Sequence, residues 1–145
     1  MSYQVAHTPG AGHVHAAGVI YVVDGNNLRI QKFAGGGTYL TQWGSYGTGD
    51  GEFSYPWGVA VDDSETVYVS ELLNHRIQKF DGYGTFLSKW GANGSTDGLF
   101  ESPEGVAIDA MGNILVADAG NDRIQGFGGP WLDFFIGAPE PPSTR

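Results

Sequence analysis

The sequence is built from a unit that recurs every 47 residues. A five-residue run, Arg-Ile-Gln followed by Lys-Phe or Gly-Phe, occurs at 29–33, 76–80 and 123–127. Three prolines keep the same interval, at Pro9, Pro56 and Pro103. A period of this length indicates stacked copies of one supersecondary unit, because a single unit cannot bury its own apolar faces. We therefore divide the chain into repeats at 9–55, 56–102 and 103–138, with tails at 1–8 and 139–145.

Each repeat has the pattern of four short strands. In the second repeat, small, β-branched and aromatic runs predict strands at 58–62, 67–70, 76–80 and 85–90. Residues that favour turns, among them many of the 24 glycines, separate these runs. The third repeat follows the same plan, whereas the first has Ala11-Gly-His-Val-His15 in place of Gly-Val-Ala-Val-Asp. No 3.6-residue periodicity occurs, so we expect almost no helix.

Four short antiparallel strands in a unit of this length form one blade of a β-propeller. The predicted fold class is therefore all-β, with three propeller blades in the chain. The recurring pattern Pro-x-Gly-Val-Ala-Val-Asp, Val-Tyr-Val-Ser-Glu and Asn-His-Arg-Ile-Gln-Lys-Phe resembles the NHL repeat over residues 9–137. The three positions that name this repeat hold Asn27-Leu28-Arg29, Asn74-His75-Arg76 and Asn121-Asp122-Arg123.

The resemblance implies a closed ring of about six blades, whereas this chain holds three. An arc of three blades would expose two flat faces rich in Val, Ile and Tyr. Exposed apolar faces beside open strand edges are sites of association. We therefore expect two chains to close head to tail into a six-bladed homodimer; the alternative is that the chain is a piece of a longer propeller.

Several recurring polar and aromatic residues have a structural interpretation. An acidic residue stands five positions before each repeated arginine, which predicts cross-strand ion pairs. Asn27, Asn74 and Asn121 are expected to bond the backbone of their turns. Trp43 and Trp90 end the outermost strands and are expected to pack between adjacent blades. The repeated arginines are Arg29, Arg76 and Arg123. Because a catalytic group is usually needed only once, repetition favours a structural role for all of these residues.

Candidate binding residues lie where the repeats differ. Trp57 has Gly10 and Glu104 as its counterparts, so the repeat does not require an aromatic residue there. The connectors 46–56 and 93–104 are equivalent and would alternate around one rim of a ring. We expect a ligand to contact this rim, and the candidate residues are Tyr46, Tyr55, Trp57, Asn93 and Glu104.

Two sets of side chains could hold a metal ion in a central channel. Asp62 and Asp109 end the innermost strands, and carboxylates are ligands that calcium prefers. His13 and His15 point the same way in a strand and form part of a zinc site. The other interpretations are that the aspartates bond their turns and that the first strand is displaced. The resemblance includes a zinc lyase and calcium lactonases, but the His residues at 7, 13, 15 and 75 do not match three separate channel strands.

Charge and composition limit the partners. The net charge is −9, which disfavours nucleic acid because its binding normally needs a basic face. With no Cys, the redox compartment cannot be inferred. We find no membrane span and no secretory signal in the sequence, and the compartment cannot be predicted.

We predict from these observations a non-enzymatic NHL-type propeller that binds a protein, peptide or small ligand on one face of the ring and needs no cofactor. One alternative is a hydrolase or lyase with Ca or Zn in the channel. Another is a purely structural half-propeller, a product of duplication. The ligand itself cannot be inferred from the sequence.

Overall fold

In the computed structural model, the backbone is described for residues 9–14, 18–128 and 135–137, and side chains are described within 18–128. Twelve strands lie in these ranges and form three four-stranded antiparallel sheets. The first sheet holds β1 (Pro9–Val14), β2 (Ile20–Asp24), β3 (Arg29–Phe33) and β4 (Tyr39–Trp43). The second holds β5 (Pro56–Val61), β6 (Val67–Glu71), β7 (Arg76–Phe80) and β8 (Phe86–Trp90). The third holds β9 (Pro103–Ile108), β10 (Ile114–Asp118), β11 (Arg123–Phe127) and β12 (Phe135–Gly137).

The predicted all-β architecture of four-stranded blades is confirmed. Each sheet, called blades 1, 2 and 3 below, keeps its strands in chain order, as expected when hairpins join neighbouring strands. The first strand of blade 2, β5, contacts both β1 and β9, so the first strands lie side by side where the blades converge. The fourth strand of each blade is therefore its outer edge. The sequence predicts the fourth strand of blade 3 at 131–136, and only its last two residues, Phe135 and Ile136, lie within the described range.

The antiparallel strands place the connections at two opposite ends of the blades. One end, the connector face, carries the segments 44–55 and 91–102 and the turns at 25–28, 72–75 and 119–122. The other end, the turn face, carries the tight turns at 62–66, 81–85 and 109–113. Every first strand starts at the connector face and every third strand starts there too.

Apolar layers between the blades form the core. Between blades 1 and 2, Tyr21, Val23 and Ile30 of blade 1 meet Val67 and Val69 of blade 2, and all five are fully buried. Tyr68 and Ile77 face the other way and pack on Ile114, Val116 and Phe127 of blade 3. Alternate residues of one strand thus serve two different layers, because side chains in a strand alternate between its faces.

Helical structure within the described residues is limited to two single 3₁₀ turns, Gly25–Asn27 and Ala119–Asn121. The residue after each repeated Asn takes a left-handed conformation, with φ of 56° at Leu28, 50° at His75 and 54° at Asp122. No helix of the described chain is long and apolar enough to cross a membrane.

Candidate ligand-binding face

The connector face is held together by a polar cluster at the start of each third strand. In blade 2, Glu71 is fully buried and its Oε2 lies 2.6 Å from Nε of Arg76. Arg76 also donates from Nη1 and Nη2 to the carbonyl oxygens of Thr48, Gly49 and Glu52. The arginine therefore joins its own blade to the connector that leads into it.

Blade 3 repeats this cluster. Nε of Arg123 donates to Asp118 over 2.8 Å, and its Nη2 donates to the carbonyl oxygens of Thr96 and Leu99. In blade 1, Nε of Arg29 donates to Asp24 over the same 2.8 Å. The three cross-strand ion pairs predicted from the five-residue spacing are therefore present.

The repeated asparagines make different contacts from those we expected. Nδ2 of Asn74 donates to the Glu71 carboxylate and to the carbonyl oxygen of Gly47 in the preceding connector. Asn121 does the same with Asp118 and the Gly94 carbonyl oxygen. Their role is thus to hold a neighbouring connector, and the prediction of bonds to the backbone of their own turns was wrong. Asn27 donates to Asp24.

Two tryptophans and two phenylalanines form the apolar part of the same junctions. The ring centroid of Trp43 lies 5.6 Å from that of Phe80, and that of Trp90 lies 5.3 Å from that of Phe127. Phe53 and Phe100 of the connectors pack on these same phenylalanines at 5.8 Å. The predicted packing of Trp43 and Trp90 between adjacent blades is therefore present.

The sequence analysis missed two contributors to the junctions. Gln78 and Gln125 are fully buried, and each amide bonds both a connector and the strand-end acid. Nδ1 of His75 accepts a hydrogen bond from the Ser102 N–H over 3.0 Å. The repetition of Gln in the five-residue run was the signal that could have identified the first contributor.

The candidate binding residues lie on the connector face. Tyr46 is 75% exposed and Tyr55 is 45% exposed. The rings of Tyr55 and Trp57 stack with centroids 6.1 Å apart and planes inclined by 19°. The carbonyl oxygen of Glu104 accepts a hydrogen bond from the Ser70 hydroxyl, which ties this residue into the contact between blades 2 and 3.

An open pocket of about 460 Å³ lies on the same face. Leu73, Lys89, Trp90 and Asn93 are among the side chains that line it. Leu73 is 59% exposed, and its backbone N–H bonds the Ser54 carbonyl oxygen, so it lies beside the connector of Tyr46 and Tyr55. The pocket therefore combines apolar walls with a lysine and an amide, a mixture typical of ligand sites.

The candidate metal ligands Asp62 and Asp109 lie at the turn face. Oδ1 of Asp62 accepts from the N–H groups of Ser64 and Thr66, and Oδ2 accepts from the Tyr68 hydroxyl. Burial, with the Asp62 carboxylate adding to it, raises the pKa of Tyr68.

Asp109 bonds its turn in the same way as Asp62. Asp109 accepts from the N–H groups of Met111 and Asn113 and from the Asn113 amide, and these bonds, that of the Asn113 amide first, lower its pKa. Both aspartates thus stabilise turns, the role that the sequence allowed as the alternative to metal binding.

The histidine part of the proposed metal set is described only in part. The backbone of His13 pairs with Tyr21 in the β1–β2 ladder, and His15 lies outside the described residues. Among the described side chains, no group of three or more His, Asp or Glu is arranged to hold a metal ion.

Comparison with known proteins agrees with this architecture. A family model of the NHL repeat matches residues 53–80 and 100–127. Comparison with curated proteins gave no match. A streptogramin B lyase structure is similar with a TM-score of 0.65 at 17% identity, over 81% of this chain and 36% of that chain.

Two further solved structures are similar in the same way. Virginiamycin B lyase from Staphylococcus aureus has a TM-score of 0.69 at 16% identity, over 92% of this chain and 41% of that chain. A protein of unknown function from Bacteroides caccae has a TM-score of 0.69 at 13% identity, over 92% and 46%. The chain therefore spans less than half the length of these proteins.

The blades, their strand order and these likenesses define a β-propeller-type protein. The repeat that the family model identifies, at 53–80 and 100–127, is the NHL repeat.

Proposed function

We propose that this protein is a non-enzymatic binding module that holds a protein, peptide or small ligand on its connector face. The observation that carries the proposal is the concentration of exposed apolar side chains on the connector face, where the open pocket also lies. Tyr46, Tyr55 and Leu73 expose about half or more of their surface there, and Trp57 stacks on Tyr55. Aromatic residues that are already held in place contribute strongly to binding at low cost in conformational entropy.

The test is selection of ligands from a random peptide library on the immobilised protein, followed by affinity measurements on variants. We expect selected peptides to bind Tyr46→Ala or Trp57→Ala about tenfold more weakly, as for truncation of an aromatic contact residue. Tyr83→Ala is the matched control, because Tyr83 is 82% exposed but lies on the turn face. Ligands that bind all three variants equally well would contradict the proposal.

We also propose that two copies close one ring head to tail. The side of blade 3 that faces away from blade 2 exposes 48% of Ile124, whereas the equivalent Ile30 and Ile77 are fully buried. Ala107 on the same side is exposed, while its equivalent Ala60 is buried. This apolar face is covered by the next blade in blades 1 and 2 and is exposed in blade 3. Its exposure supports a third, equivalent contact, made with a second copy.

A metal-dependent lyase or hydrolase is the alternative function. Its support is the fold shared with two lyases, at 16–17% identity. Elemental analysis of untagged protein, together with thermal melting in added Ca²⁺ or Zn²⁺, tests it. A bound metal at one equivalent, with a rise in melting temperature, would favour the enzyme.

A further inference from the structure

Two connector segments show how a blade of this protein binds a short peptide stretch. In the first, the N–H of Gly51 donates to Oε1 of Gln78, and the Glu52 carbonyl oxygen accepts from Gln78 and Arg76 over 2.7 and 2.9 Å. The N–H of Ser54 then donates to Oε1 of Glu71.

The second segment repeats these contacts. The N–H of Gly98 donates to Gln125, the Leu99 carbonyl oxygen accepts from Gln125 and Arg123, and the N–H of Glu101 donates to Asp118. Every group that these hydrogen bonds contact in the segments belongs to the backbone. The polar cluster therefore recognises a backbone shape.

The bound shape requires a particular sequence. Gly51 and Gly98 have φ values of +83° and +87°, which side chains other than glycine rarely adopt. The phenylalanines two positions later, Phe53 and Phe100, are fully buried. An aspartate precedes each glycine, so both bound segments read Asp-Gly-x-Phe. Asp97 lies 3.8 Å from Nη1 of Arg123, so the arginine also attracts the acidic residue.

Blade 1 has the same polar cluster, and none of the described segments is bound to it. Asp24 is 3% exposed, and no described residue donates a hydrogen bond to its Oδ1. In the other blades that position accepts the N–H of Ser54 or Glu101. The Arg29 side chain is 30% exposed, against 8% for Arg76. No described residue bonds the amide of Gln31, the equivalent of Gln78. A buried acceptor without a donor is costly, so this site favours a ligand that supplies an N–H group.

The segment of this chain that stands in register with the site matches it poorly. Residues 1–8 precede Pro9 as 48–55 precede Pro56, and they lie outside the described residues. Gln4 stands where the other segments have glycine with positive φ, and Ala6 stands where they have the buried phenylalanine. Residues 1–8 therefore lack both sequence features of the bound segments, the glycine and the phenylalanine.

We propose that the polar cluster of blade 1 binds, in trans, a peptide segment of the Asp-Gly-x-Phe type. Asp24 accepts the N–H of the residue after the phenylalanine. Gln31 accepts the glycine N–H and, with Arg29, donates to the carbonyl oxygen of the x residue. The positive Arg29 attracts the aspartate of the ligand. The side chains of this site belong to blade 1, whereas Tyr46, Tyr55 and Trp57 lie in blade 2 and the connector before it, so the two binding tests are distinguishable.

The test uses the whole chain and a fluorescent synthetic peptide with the sequence of residues 44–55. Fluorescence anisotropy should show saturable binding. Gln31→Ala should weaken it about tenfold, since two hydrogen bonds of about 0.5–1.5 kcal/mol each are lost. Thr38→Ala, an exposed position in the turn at the opposite end of the same blade, should leave the affinity unchanged. Two altered peptides carry alanine in place of the glycine of Asp-Gly or of the phenylalanine. Each should bind the wild-type protein no more tightly than the unaltered peptide binds the Gln31→Ala variant.

Five results would overturn the proposal. No binding to the whole chain would do so, as would equal binding of the wild-type and alanine peptides, or of the wild-type protein and Gln31→Ala. Binding that appears only in a chain shortened by residues 1–8 would show that this segment fills the site in cis. Loss of a dimer in Gln31→Ala without any peptide binding would assign the site to a second copy.

Discussion

Glu71 is the residue on which most contacts of the connector face converge. It is fully buried and accepts hydrogen bonds from Arg76, Gln78, Asn74 and the backbone of Ser54. A buried charge pair contributes little over an apolar pair, but removing one partner leaves the other uncompensated. The repeated acid is therefore most important as the counter-charge of a buried arginine.

Glu71→Gln should destabilise the protein by about 3 kcal/mol, because Arg76, which is 6% exposed, would keep its charge without a carboxylate. Urea denaturation followed by tryptophan fluorescence measures this change. Lys89→Ala removes the exposed pair with Asp50 and should cost less than about 1 kcal/mol. A Glu71→Gln variant as stable as Lys89→Ala would contradict this view of the cluster.

Tyr21 makes stability depend on pH in the alkaline range. Burial, with a contribution from the Glu65 carboxylate, raises the pKa of Tyr21 from 10.0 to about 12. Between these values the unfolded chain loses its proton before the folded one does. The free energy of unfolding therefore contains a contribution from Tyr21 that is complete below pH 10 and is lost as the pH rises to about 12.

Tyr21→Phe should be at least as stable as the wild type at neutral pH, because no described residue bonds the buried Tyr21 hydroxyl. Its stability should also fall less between about pH 9 and about pH 12. Urea midpoints across this range measure both effects. Tyr83→Phe is the control, because Tyr83 is 82% exposed. An alkaline decline as steep as that of the wild type would assign the effect to other groups.

The connectors are the elements that join one blade to the next. Each leaves a fourth strand through a glycine with positive φ, +118° at Gly44 and +105° at Gly91. A Cβ at Gly44 would lie 2.6 Å from the Leu28 carbonyl oxygen and 2.6 Å from the Phe53 ring. Backbone conformation and close packing therefore both require glycine at this position.

Gly44→Ala should lower the free energy of unfolding by about 1–3 kcal/mol from backbone strain, with a further loss from overlap with Phe53. Gly36→Ala is the matched control in the β3–β4 turn, because a Cβ there meets nothing within 4 Å. Thermal denaturation of both variants is a sufficient measurement. Equal melting temperatures for the two would show that the exit from β4 is not constrained as described.

At the level of elements, the strands were predictable and the connector contacts were not. The run from Arg76 to Phe80 is a strand because β-branched and aromatic residues alternate with polar ones, and this pattern is local. The bonds from Arg76 to the carbonyl oxygens of Thr48 and Gly49 join residues 28 and 27 positions apart. No periodicity within a strand contains that information. The expected backbone role of Asn74 failed for the same reason, since its partner Gly47 belongs to the previous repeat.

At the level of the whole molecule, the proposed ring closure would cover the two outer blade faces. If two copies close the ring, Ile124→Asp should dissociate the dimer, because a charge would replace a buried apolar contact. Sedimentation velocity at micromolar concentration measures the change. Leu87→Asp is the control on the outer strand of blade 2, where Leu87 is exposed to the same 48%. A wild-type protein with the mass of one chain, or an Ile124→Asp dimer, would contradict ring closure.

The 47-residue period settled the class of fold, because equal repeats of four strands can bury their apolar faces only by stacking as blades. It also placed the acid–arginine pairs, since both partners lie in one hairpin. The three-dimensional arrangement was needed to show that blades 2 and 3 each hold a connector, whereas no described residue takes that place at the equivalent cluster of blade 1. The repeat makes the three clusters alike in sequence, and they differ only in what lies next to them in space.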